Sequence, residues 1–222
     1  MPVRDLVRPT IRAIRWGGLL GSILPAAFLV WHFHNQPSPT AESSAFGLRL
    51  AALSLALGLA FVLDDPTEDA TGYAPVSVLA RRTLRIGLTL PPTLLYWLVL
   101  RAYAAGGLVA GENLPTWTFL LEAAALGGVA LAGAAAGSRV LSDRLGGLAG
   151  AGAVILVALA AALLPWGNGL LVRTPGTRSG EEAIRWWWAI AAMAALVWWR
   201  MSATPGMRSW RFPVAAAGGR RP

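Results

Sequence analysis

The chain has 222 residues, of which 55% are hydrophobic and only 14% charged, with a formal net charge of +8. A water-soluble domain of this size carries roughly a quarter charged residues, so the polar material to cover a solvated surface is missing. There is no cysteine, which excludes a disulfide framework, a thiolate nucleophile and a cysteine metal site.

All 19 basic residues are arginine. They gather at the ends of apolar runs, not in one stripe interleaved with aromatics, which argues for membrane topology and against a nucleic-acid partner. The expected fold is all-α: a polytopic membrane bundle of six transmembrane helices in one domain over residues 1–205, followed by a basic, disordered cytoplasmic tail, 206–222.

At the N-terminus Arg4, Arg8, Arg12 and Arg15 alternate with Leu6, Val7, Ile11 and Ile14 at helical spacing. That pattern predicts an amphipathic helix over 1–15 lying in the headgroup layer, with Pro9 able to divide it. No small-x-small cleavage site follows Val30, so the segment reads as uncleaved. Span 1 follows over about Trp16–Phe33, ending at Trp31-His32-Phe33-His34. Two histidines at that spacing point to different sides of a helix and read as interfacial, not as metal ligands.

Span 2 is expected over Phe46–Leu63, with Arg49 near its start snorkelling to the interface. Span 3, about Leu84–Ala105, holds Pro91-Pro92, which should kink or break it. Span 4, about Pro115–Gly137, and span 5, about Leu148–Trp166, carry small residues four apart: Gly128/Ala132, Gly133/Gly137 and Gly146/Gly150. Such spacing lets backbones approach closely and predicts that the two spans pack on each other. Span 6, about Ile184–Arg200, lies between Trp186-Trp187-Trp188 and Trp198-Trp199, an aromatic belt at each interface.

Six spans put both termini on one side. With that segmentation 14 arginines fall on the side of the termini and five on the other, so the positive-inside rule makes the termini cytoplasmic. The connector between spans 2 and 3 is then cytoplasmic too. It is the one stretch where charge of both signs concentrates: Leu63-Asp64-Asp65-Pro66-Thr67-Glu68-Asp69, then Arg81-Arg82-Thr83-Leu84-Arg85.

Chemistry-bearing residues are few. Glu122 lies inside span 4, and an intramembrane carboxylate marks a functional site by default, with Arg101 or Arg173 able to partner it; the favoured reading is a Glu that reaches the outer interface or pairs structurally. The pair Glu181-Glu182 before Arg185 is similar to the glutamate motif of CAAX-protease-like intramembrane enzymes, but the spacing differs and no histidine follows it. With Ser179 in front, the pair reads as helix capping. The absence of lysine removes any nucleotide-binding loop ending in Lys-Ser or Lys-Thr.

Ala60-Phe61-Val62-Leu63-Asp64-Asp65-Pro66, Ala74-Pro75-Val76-Ser77-Val78 and Arg81-Arg82-Thr83-Leu84-Arg85-Ile86-Gly87-Leu88 together resemble a group of actinobacterial ABC-transporter permeases of the type-2 exporter kind. The resemblance implies a non-enzymatic permease subunit of the cell membrane, with no cofactor of its own. Its partners would be separate ATP-binding subunits and a second permease subunit, the same or different. It implies further that the 64–83 connector is a coupling element, with Asp64, Asp65, Pro66, Arg81, Arg82 and Arg85 as interface residues. Pro91, Pro92 and Glu122 are lesser candidates for a translocation pathway. The rivals are a membrane-embedded hydrolase, which needs paired catalytic groups at one depth, and a scaffold that docks partners through connector and tail. Substrate, direction of transport and the identity of the second permease are open at this level.

Overall fold

The computed structural model describes residues 10–12, 14–37, 39–64, 78–108, 114–140, 145–163 and 178–203. Among them every regular element is helical: α1 Trp16–His34, α2 Ala41–Ala60, α3 Val78–Gly106, α4 Thr116–Val140, α5 Gly146–Leu163 and α6 Arg178–Ala203. A 3-10 turn, Phe61–Leu63, extends α2. The interfacial helix expected over 1–15 and the tail lie almost entirely outside the described residues, which include only the helical turn 10–12 and Ile14–Arg15.

Five helices are long and apolar enough to cross a membrane: α1, α2 with its 3-10 extension, α3, α4 and α5. The chain is therefore a multi-pass helical membrane protein. Helix α6 occupies the sixth expected span and is as long, but its tryptophans and end arginines leave it outside those five.

Helices α2 and α4 form the centre. Most of their residues are buried; α1 pairs with α2, α5 and α6 flank α4, and α2 also touches α3, α4 and α5. The outer helices turn large apolar side chains outward, among them Leu24 and Phe28 of α1, Leu95 and Val99 of α3, and Leu156 and Leu163 of α5. Hydrocarbon is the solvent that suits such a surface, and there association rests on close packing, not on the hydrophobic effect.

The small residues supply that packing. A Cβ on Gly150 would meet the Ala130 carbonyl at 2.5 Å and Ala60 Cβ at 3.0 Å; one on Gly133 would meet Gly150 Cα at 2.9 Å. Helices α4 and α5 thus meet backbone to backbone, as their sequence spacing predicts, and α2 joins the same contact. Gly128 instead faces Ala194 of α6.

Three boundaries differ from expectation. Helix α2 begins at Ala41, because Thr40 and Ser43 form a reciprocal capping box in which the Ser43 amide donates to Thr40 Oγ1 at 3.2 Å and the Thr40 amide to Ser43 Oγ at 3.0 Å. Helix α3 begins at Val78, so Arg81, Arg82 and Arg85 belong to its first turns and not to a loop. It also runs unbroken through Pro91 and Pro92. Both prolines are on exposed positions, and the helix stays continuous although they lack the amides that would donate to the Gly87 and Leu88 carbonyls. Helix α6 begins at Arg178, placing Ser179 inside the helix instead of at its cap.

Candidate functional site

The 3-10 turn tightens the end of α2, the Asp64 amide donates to the Phe61 carbonyl at 3.3 Å, and Asp64 leaves the helix in extended conformation. Its side chain turns back into the bundle and is only 3% exposed. There Asp64 Oδ1 accepts a 2.7 Å hydrogen bond from the Gly147 amide, in the first turn of α5. The first amides of a helix have no partner of their own and carry the positive end of its dipole, so a carboxylate suits the place on both counts. Gly146 and Gly147 make the approach possible: a Cβ on Gly147 would lie 2.5 Å from Phe61 Cδ1 and 2.7 Å from Asp64 Oδ2. Burial pushes the Asp64 carboxyl above its ordinary value of 3.8, while the Gly147 amide and the charge of Arg15 pull it partly back.

From α3 the buried Arg82 donates through Nη2 to Ser138 Oγ of α4 at 2.7 Å, and Ser138 Oγ donates in turn to the Ala135 carbonyl at 3.0 Å. A Cβ on Gly146 would meet both Asp64 Oδ1 at 3.1 Å and Ser138 Cβ at 3.2 Å, which places the aspartate and the arginine–serine pair side by side. Arg85, one turn on, is also buried, and its carbonyl accepts from Thr89 Oγ1 at 2.9 Å. Arg81 is half-buried. One polar knot therefore fastens α2, α3, α4 and α5 at the same end, and the roots of the connector are part of it. Asp65, Pro66 and the rest of 65–77 lie outside the described residues.

Glu122 is buried at the opposite half of the bundle. Its partner is Arg49 of α2, neither Arg101 nor the undescribed Arg173: Arg49 Nε donates to both carboxylate oxygens, at 3.0 and 3.1 Å. The Arg49 guanidinium also lies 5.4 Å from the centre of the Phe119 ring. Arg49 does not snorkel outward, because a charge of opposite sign faces it across the α2–α4 contact. Pro91 and Pro92, on exposed positions of α3, are not brought to this pair. The buried arginines are what sequence reasoning missed. Each sits near a helix end, where a side chain turning inward and one turning outward have the same sequence pattern.

Compared with family models, curated proteins and solved structures, the chain matches none.

Proposed function

We propose that this chain is the permease subunit of an ABC transporter of the exporter kind, with α6 as a sixth span, both termini cytoplasmic, and the cell membrane as its location. ATP is hydrolysed in separate subunits, and a second permease subunit completes the pathway. The observation that supports this best is the knot of Asp64, Arg82, Ser138 and Gly147. It joins four helix ends around the two roots of the connector, so a displacement of residues 65–77 is passed to α2, α3, α4 and α5 together. In this reading Asp64, Arg82 and Arg85 transmit force inside the bundle, and the partner touches the connector itself with Asp65 and Pro66. A hydrolase is less well supported, since Glu122 is already engaged by Arg49.

Photo-crosslinking residues placed one at a time over 70–77 in cells should capture a soluble ATP-binding protein. The reconstituted complex should lose membrane-stimulated ATP hydrolysis on Arg82→Gln, with assembly retained. Crosslinks to lipid alone, or stimulation untouched by Arg82→Gln, would refute coupling through this connector.

A further inference from the structure

A second polar layer lies at the other end of the bundle and has unmet needs. The end of α1, the start of α2 and the end of α3 meet there: the His34 ring lies 4.2 Å from that of Tyr103, and Asn35 Nδ2 donates to Tyr103 Oη at 3.4 Å. Counting from those helix ends at the helical rise, Arg101 is about 8 Å deep, Glu122 about 9 Å and Arg49 about 12 Å. Arg49 and Glu122 neutralise each other. Arg101 has no ion-pair partner among the described residues; its Nη2 donates to the Leu114 carbonyl at 2.6 Å, and its buried Nε–H has no acceptor. One turn deeper on the same face of α3, Trp97 is 3% exposed and its indole Nε1–H also lacks an acceptor.

Both groups are donors only. An unmatched cation and an unmatched N–H at this depth are costly, and one acceptor of negative charge relieves both. The two residues are one turn apart, about 6 Å along the helix, and a single carboxylate or phosphate carries oxygens enough to accept from both donors. We propose that Arg101 and Trp97 form a binding site for one oxyanion group, carboxylate or phosphate, in this half of the bundle. The site stands on these two residues and does not depend on the coupling connector.

The full-length chain, stripped of lipid in a phosphate-free sugar detergent, is titrated by calorimetry with inorganic phosphate, with acetate, and with micelles doped with phosphatidylglycerol. At least one titration should saturate. Binding of that anion should weaken about tenfold or more in Arg101→Gln and in Trp97→Phe, which keeps the ring packing, and stay unchanged in Arg12→Gln at an exposed position. Saturation by phosphate or acetate identifies a soluble anion, and saturation by the doped micelles alone a lipid headgroup. No saturable binding of any of the three, or equal binding by wild type and either site variant, overturns the proposal. If Arg101→Gln does not fold, Trp97→Phe decides the matter.

Discussion

Removing the Asp64 carboxylate tests whether the knot beneath the connector holds the bundle together. Asp64→Ala leaves the Gly147 amide buried without an acceptor, where a 2.7 Å bond now satisfies it. Hydrogen bonds to a charged acceptor contribute roughly 1.5–3 kcal/mol and helix caps about 0.5–2 kcal/mol, so a loss of about 2 kcal/mol is expected. For a chain of this length that lowers the thermal midpoint by about 4–8 °C. Asp64→Asn keeps an acceptor and sheds the charge that burial disfavours, so at neutral pH it should match or exceed wild type. The two proteins should also differ in pH dependence. Because the folded carboxyl holds its proton more tightly than the unfolded one, the native state binds more protons above pH 3.8. Wild-type stability should therefore fall as pH rises from that value through the raised one, and Asp64→Asn should lack this slope. Intrinsic fluorescence, with 11 tryptophans as reporters, follows unfolding in detergent at a fixed scan rate from pH 4 to 8. Equal midpoints for Ala and Asn at neutral pH would refute the capping argument, and identical pH slopes for wild type and Asn would refute the effect of burial on the carboxyl.

Gly150→Ala should cost about 1–3 kcal/mol, since its Cβ would meet the Ala130 carbonyl at 2.5 Å, whereas Gly152→Ala faces open space and should be neutral or stabilising by up to about 1 kcal/mol. The same midpoints compare them, and equal effects would contradict the close α4–α5 contact. Glu122→Gln and Arg49→Met should each lose about 3–5 kcal/mol by stranding a buried charge, while Arg49→Met with Glu122→Leu should lose much less than their sum. A double-mutant cycle that proves additive would show that the pair is not coupled. Thr40→Ala, which removes the acceptor for the Ser43 amide, should cost about 1 kcal/mol and fray the start of α2, seen as faster amide exchange over 41–44 than in wild type.

The all-helical, multi-pass character was legible because hydrocarbon-length apolar runs leave few other solutions. All six described helices overlap the expected spans, and glycine spacing correctly paired α4 with α5. The start of α2 was missed, being expected at Phe46, because in Thr40-Ala41-Glu42-Ser43 a serine in place of the usual acidic partner makes a weaker signature than a glutamate would. The proline pair predicted a kink or a break, and the helix is continuous through it, with both rings on exposed positions.

The candidate site was legible in composition and not in direction. Asp64, Arg82 and Arg85 stand where two spans meet a charged loop, and every local rule sends such side chains into water or headgroups. They turn inward because the partners that hold them are distant in sequence: Gly147 lies 83 residues from Asp64, and Ser138 lies 56 residues from Arg82. No window of the chain contains both halves of either contact. The same is true of Arg49 and Glu122, 73 residues apart. In a bundle with so few polar groups, each buried charge fixes the register of two helices at once, because a slip of one turn would strand it in hydrocarbon. The polar knot and the Arg49–Glu122 pair, set at opposite ends of α2 and α4, therefore pin the two central helices along their length. In the proposed reading, a displacement at the connector would reach α3 and α4 through Arg82–Ser138 and α2 and α5 through Asp64–Gly147.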